Sequence, residues 1–316
     1  PFAAFAALAG LGLGVSGEMT LQAFLPFAAA LLCGGLAVWV YLLDIRSFVH
    51  RAFAAGMIAL ALEEALTSLS VQVVLPEAVV YWQRLRVVAT ALLPGSWLLF
   101  SLSFARANYQ AFVTRWRWVS LAAFAVPLAL ATVWGDAFFL GALIQEASPW
   151  WLLRLGWFGR LFYLVFLLSV FFILMNLEQT LRASTGSMRR QIKFILLGLG
   201  GLFAARVYTS TQTLLFSAVD AELEVFNAGA LLVADGLIIL SLVRARLLNG
   251  EIYLSQGFLY NSLTILIAGI YLLVVGVLAR VVRYVGGSQG FSLHAFLVFL
   301  AFLGLTVLLL SDRLRQ

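Results

Sequence analysis

The stretch LQAFLPFAAALLCGGLAVWVYLL, residues Leu21–Leu43, contains 23 residues and no charged side chain. A helix of roughly 20 apolar residues crosses the hydrocarbon core of a bilayer, which is about 30 Å thick, so this stretch predicts a transmembrane helix. Continuous apolar runs favour helices over the alternating strands of a membrane barrel. The same criterion along the chain predicts these spans: Phe2–Val15, Leu21–Leu43, Phe53–Leu75, Leu85–Phe104, Trp118–Trp134, Trp151–Met175, Ile192–Ala218, Phe226–Leu247, Leu259–Ala279 and Phe291–Leu310. Because the first span is short, the sequence predicts an all-α polytopic transmembrane bundle of nine to ten spans, with residues 1–316 forming one domain.

The composition excludes a soluble protein. Hydrophobic residues make up 63% of the chain and charged residues 11%, whereas about a quarter of a soluble domain is charged. The net charge of +6 does not indicate a nucleic-acid partner, because the basic residues lie in short loops between apolar spans. The one cysteine, Cys33, lies inside a predicted span, so we expect a small packed residue and neither a disulfide nor a metal site.

The loops alternate in their content of basic residues, which indicates the orientation of the bundle. One set of loops holds thirteen arginines and lysines, and the opposite set holds six, including Arg84 and Arg86. Loops rich in Lys and Arg stay on the cytoplasmic side of a membrane. We therefore expect both ends of this segment to be cytoplasmic. Since the chain opens on Pro1 rather than Met, we also expect that residues upstream have been removed.

Four ionisable residues lie near the middle of predicted spans: Glu63, Glu64, Arg206 and Asp235. A charge at the centre of a bilayer costs at least about 2.5–3.5 kcal/mol, so such residues face protein and find partners. Their depths predict one layer, from which polar residues continue towards the outside. The candidate signal-binding or relay residues are Glu63, Glu64, Arg206, Tyr208, Gln212, Asn227 and Asp235. Three interpretations stay open: a structural ion pair of Arg206 with Asp235 together with a protonated or hydrogen-bonded glutamate, a ligand or proton-sensing pocket, and an ion pathway.

The sequence contains no catalytic motif. It has no phosphate-binding loop, nucleophile elbow or zinc-binding histidine pair. His50 and His294 lie about a membrane thickness apart, so they cannot bind one haem or metal together. We therefore expect no catalytic residue, no metal and no cofactor in this segment.

Four stretches together resemble a known family. They are LLPGSWLLFSLSFARANY (Leu92–Tyr109), MNLEQTLRASTGSMRRQIKFILLGLGGLFAARVYTS (Met175–Ser210), YNSLTILIAGIYLLVVGVLAR (Tyr260–Arg280) and LLLSDRLRQ (Leu308–Gln316). They are similar to the N-terminal membrane region of bacterial sensor histidine kinases of the PrsK type, which belong to the PEP-CTERM/exosortase system. The resemblance implies a bacterial inner-membrane protein whose kinase core, with ATP and Mg, follows Gln316. It also implies a homodimer and a response regulator that controls exopolysaccharide-related genes.

The expected function is therefore a membrane sensory module of a two-component histidine kinase. A periplasmic or membrane signal, such as a small ligand, a lipid or a proton, would act on the charged layer, and the last helix would relay the change. The segment itself would not phosphorylate anything, although its parent would. Two alternatives stay open: a secondary transporter that uses the charged layer as its coupling site, and a purely structural membrane anchor.

Overall fold

The computed structural model describes residues 21–73, 75–105, 109–144, 151–184 and 186–248. Three predicted spans, Phe2–Val15, Leu259–Ala279 and Phe291–Leu310, lie outside the described residues. The total of ten spans and the cytoplasmic location of both ends therefore stay predictions.

Ten helices and three strands follow one another in the described residues. The helices are α1 (Leu21–Leu43), α2 (Phe48–Val71), α3 (Pro76–Thr90), α4 (Leu93–Ser103), α5 (Tyr109–Arg115), α6 (Arg117–Thr132), α7 (Gly135–Phe138), α8 (Trp157–Ala183), α9 (Gly186–Phe216) and α10 (Ala221–Leu248). The strands are β1 (Phe139–Ile144), β2 (Trp151–Leu155) and β3 (Ala218–Asp220).

Six helical stretches are long and apolar enough to cross a membrane, and α6 is a shorter apolar helix. These seven correspond in order to the seven predicted spans between Leu21 and Leu247, and α1 has the predicted bounds. The third span differs most, because it begins at Pro76 rather than at Leu85 and consists of α3 and α4 in succession. The first half of this span contains several polar side chains, so a prediction based on apolar runs does not detect it. Membrane-spanning helices are therefore the main component of the fold.

The prediction of an all-α protein is wrong in one respect, because β1, β2 and β3 form an antiparallel sheet in that order. The predicted span Trp151–Met175 begins with β2, and its helix starts only at Trp157. Burial alternates along β2, where Trp151, Leu153 and Leu155 are buried and the residues between them are exposed. Since the exposed positions include an apolar leucine, the run looked continuous with the helix that follows.

Gly156 makes the tight link between β2 and α8. Its amide donates to the Phe138 carbonyl oxygen at 2.8 Å. A Cβ atom at this position would lie 2.1 Å from the Ala137 carbonyl oxygen, so only glycine fits there. The link fixes the sheet against the first turn of α8.

Two apolar regions enclose the middle of the bundle. At the end that carries the sheet, called the sheet end below, the core contains Val79, Trp82, Phe138, Leu153, Phe162 and Val219. Further along the bundle the Trp97 ring packs edge-on against Phe53, Phe100 and Phe203, with ring centroids 5.6–5.7 Å apart. Helix α2 runs between these regions, since Phe53 contacts Trp97 and the Ser70 carbonyl oxygen accepts a hydrogen bond from the Trp151 indole. Glu63 and Glu64 lie between these two points of α2.

Candidate functional site

Five charged side chains of alternating sign form a connected series inside the bundle. In order they are Glu224, Arg86, Glu63, Arg206 and Glu64, and we call them the charge row. The joining nitrogen–oxygen distances are 2.5, 3.4, 2.7 and 3.4 Å. Each side chain is at most 8% exposed. Buried charges are stable only when paired and hydrogen-bonded, and the alternation of sign provides that pairing.

The charge row connects four helices. Glu63 and Glu64 come from α2, Arg86 from α3, Arg206 from α9 and Glu224 from the first turn of α10. These residues lie far apart in the sequence, and only the packing of the bundle brings them together. A displacement of any one of the four helices would change at least one of these charged contacts.

Glu63 is the centre of the charge row. Its two carboxylate oxygens accept from Arg206 Nη1 and Nη2, both at 2.7 Å. Oε1 also accepts from Thr90 Oγ1 at 2.9 Å and from Arg86 Nη1 at 3.4 Å. The bidentate geometry matches the planar guanidinium of Arg206 and gives the strongest kind of charged hydrogen bond.

Arg86 is a functional candidate that sequence reasoning missed, because it was counted among the loop arginines. Its Nε donates to Gln83 Oε1 at 2.6 Å, and its Nη2 donates to the Tyr163 hydroxyl at 3.0 Å. Gln83 in turn donates to Ser70 Oγ at 2.9 Å. The spacing of Gln83, Arg86 and Thr90 places them on one face of a helix. That polar face was the signal that could have identified the residue.

Sequence reasoning also missed Glu224, because it lies just before the predicted span Phe226–Leu247 and not inside it. It lies in α10, and its Oε2 accepts from Arg86 Nη1 at 2.5 Å. Three glutamates, Glu63, Glu64 and Glu224, therefore face two arginines in the charge row. The row carries one more acidic group than basic groups.

The predicted ion pair of Arg206 with Asp235 is wrong, since Arg206 binds Glu63 and Glu64. Asp235 is fully buried, and its Oδ2 accepts from Cys33 Sγ at 3.2 Å. The close contact of α9 with α10 explains the difference, because a Cβ on Gly198 would lie 3.0 Å from the Ala234 carbonyl oxygen. Asp235 is therefore level with Gly198, which lies about 12 Å along α9 from Arg206 at 1.5 Å per residue. The four predicted charges do not form one layer.

The remaining predicted residues have different environments. Asn227 is close to the charge row, and its Oδ1 accepts from Thr209 Oγ1 at 3.1 Å. Tyr208 is 38% exposed and packs edge-on against Phe226. Gln212 is half-buried. Neither Tyr208 nor Gln212 lines the pocket that borders the charge row.

A small pocket borders the charge row towards the sheet end. Its lining atoms surround about 280 Å³ of space, but the pocket has room for only about one water-sized molecule. All of its lining side chains except Phe166 are polar or charged. The lining residues are Glu63, Arg86, Thr90, Tyr163, Phe166, Arg206, Thr209, Ser210, Thr213, Glu224 and Asn227. Within the described part of the chain, no cluster of three or more His, Cys, Asp or Glu residues has a geometry that could hold a metal ion. The pocket fits water or a proton, and a larger ligand would require the helices to separate.

Comparison with known proteins identifies the family. Residues 25–249 match the family model described as the N-terminal 7TM region of histidine kinase. No curated protein and no solved structure matches the chain. The matched residues include nearly all of the seven apolar helices and the complete charge row. The match covers well over half of the chain, which therefore belongs to the family of N-terminal 7TM regions of histidine kinases.

Proposed function

We propose that this chain is the sensory module of a two-component histidine kinase and that the charge row is the element on which the signal acts. One observation supports this proposal above the others: a single connected series of buried charges joins four helices from distant parts of the sequence. A signal that favours one arrangement of these helices changes the pairing inside the row. Such a signal works only if it binds two arrangements with different affinity.

Further proposals concern the full-length kinase of which this chain would be the membrane segment. We propose a PrsK-type kinase in the bacterial inner membrane that acts as a homodimer and controls exopolysaccharide-related genes through a response regulator. ATP and Mg would bind in a kinase core that follows Gln316. The predicted span Phe291–Leu310 would carry the change from the charge row to that core.

A test of the proposal compares two arginine variants of the full-length parent kinase in lipid vesicles. R206A removes the bidentate partner of Glu63. R182A is the matched control, because Arg182 pairs with Glu178 on the exposed surface of α8, where the two side chains are 78% and 57% exposed. The measurement is the basal rate of autophosphorylation with ATP, after both variants have been shown to insert and to elute like the wild type.

We expect R206A to change the basal rate by about tenfold or more, because each 1.4 kcal/mol shifts an equilibrium tenfold, and R182A to leave it unchanged. A folded R206A variant with the wild-type rate would refute the relay and favour a purely structural anchor. The secondary transporter is the other alternative. The water-sized pocket gives it no specific support, and solute uptake by reconstituted vesicles would establish it.

A further inference from the structure

We infer that Glu64 is a proton-binding site and that its proton controls how Arg206 is shared within the charge row. The inference rests on the proposed function for its role in signalling, but the binding site itself can be tested without any kinase. Glu63 and Glu64, two neighbouring carboxyl groups on α2, are paired unequally. Both residues are only 1% exposed, so neither obtains its stabilisation from bulk water.

Glu63 and Glu64 differ sharply in their contacts. Glu63 accepts four hydrogen bonds, two of them from Arg206 at 2.7 Å. Among the described residues Glu64 has one hydrogen bond, which its Oε1 accepts from Arg206 Nη2 at 3.4 Å. Its second oxygen, Oε2, is buried without a hydrogen-bond partner among the described residues. An ionised carboxylate in this position would be largely uncompensated, which is costly in a low-dielectric interior.

The charge balance of the row also favours a protonated Glu64. With three carboxylates and two guanidiniums, the row is neutral when it holds one proton. Glu63 and Glu224 each accept a short hydrogen bond from an arginine, at 2.7 and 2.5 Å. The proton therefore belongs on Glu64, the carboxyl group with the weakest pairing.

Among the described residues, both arginines of the charge row are already paired with another glutamate, so neither is available to replace the proton at Glu64. Arg206 on α9 is already bound by Glu63, and Arg86 on α3 is bound by Glu224. Helix α4 contributes no ionisable side chain. The charged or titratable groups of the described residues that act on this region include Cys33 from α1, Glu63 from α2, Arg86 from α3, Tyr163 from α8, Arg206 from α9, and Glu224 and Asp235 from α10.

The proton gives the row two arrangements. With the proton on Glu64, Arg206 binds Glu63 bidentately, as observed. When the proton leaves to water, the Glu64 carboxylate competes with Glu63 for the same guanidinium. Arg206 is then shared between two adjacent carboxylates, and the link from α9 to Glu63 weakens. The adjacent pocket, which Glu63 and Arg206 line, has room for about one water molecule.

Infrared difference spectroscopy of the present chain in lipid vesicles tests the inference, because a protonated carboxyl group has a carbonyl stretch that a carboxylate lacks. We expect this band in the wild type, and its loss in E64Q. D235N is the matched control, because Asp235 is a buried carboxyl group in the middle of a span that lies outside the charge row; this variant should keep the Glu64 band. A protonated-carboxyl band that is the same in E64Q as in the wild type would overturn the inference.

A second measurement covers the case in which E64Q does not fold. Wild-type protein grown with glutamate carrying ¹³C in its side-chain carboxyl group should show the carbonyl band at lower frequency, whereas labelled aspartate should not move it. An unshifted band would refute a protonated glutamate. Both measurements use the membrane segment alone, so their failure would leave the R206A kinase test, and with it the proposed function, unaffected.

Discussion

Replacing Glu63 by Gln should destabilise the bundle far more than the same change at the adjacent Glu64. In E63Q, Arg206 loses its bidentate partner and keeps only the 3.4 Å contact to Glu64. Arg86 is less affected, because it retains Glu224 at 2.5 Å. Removing one partner of a buried ion pair typically costs about 3–5 kcal/mol, and we expect E63Q to lie in this range.

E64Q provides the matched comparison on the same helix turn. Glu64 contributes a single long contact, and glutamine has the same shape as a protonated glutamate. The expected cost is below about 1 kcal/mol, the net value of an ordinary hydrogen bond. The assay is unfolding of the purified protein in mixed micelles with increasing denaturing detergent, followed by circular dichroism.

The double variant E63Q/R206Q isolates the pairing itself. Because both members of the pair are then neutral, part of the loss should be recovered, with an interaction energy of about 0.5–3 kcal/mol. Equal costs for E63Q and E64Q, or strictly additive costs in the double variant, would refute the assignment of Glu63 as the centre of the charge row.

Two further predictions concern the sheet end. G156A should cost about 1–3 kcal/mol by overpacking, because its Cβ would meet a backbone carbonyl at 2.1 Å, whereas G34A, with open space around Gly34, should be close to neutral in the same unfolding assay. Burial raises the pKa of Asp220 above its usual range, despite the opposing hydrogen bond from the Glu222 amide. Because the folded pKa is raised, the contribution of Asp220 to stability is fully present below the unfolded pKa of about 3.9 and is lost as the pH rises through the folded value. D220N should therefore remove this part of the pH dependence, and an unchanged stability profile from pH 3 to 6 would contradict the assignment.

Most of the membrane-spanning fold could be predicted from hydropathy alone, because a long apolar run has few other stable solutions. Helix α1 has the predicted bounds, Leu21–Leu43. The polar first half of the third span was not predictable in this way, since Gln83 and Arg86 interrupt the run and only tertiary packing buries them. Strand β2 was missed for the opposite reason: Trp151–Leu155 is apolar enough to look like the start of α8.

The candidate site was predicted in part. Glu63, Glu64 and Arg206 stood out because charges inside apolar runs are rare, and the structure brings these three together. Arg86 and Glu224 lie near predicted span ends, where position in the sequence does not distinguish a loop from a buried helix face. Asp235 was assigned to the wrong partner because counting residues from span ends does not give the register of α9 against α10, which the contact at Gly198 determines.

The order of residues in the charge row also bears on how the chain enters the membrane during synthesis. Glu63 and Arg206 are 143 residues apart, so a ribosome adding about 5–20 residues per second makes Arg206 roughly 7–30 s after Glu63. Arg86 follows Glu63 by only 23 residues, or about 1–5 s at the same speed. Arg86 is thus the first counter-ion available to the newly inserted Glu63, and it allows α2 and α3 to enter the bilayer as a paired hairpin before the later helices exist.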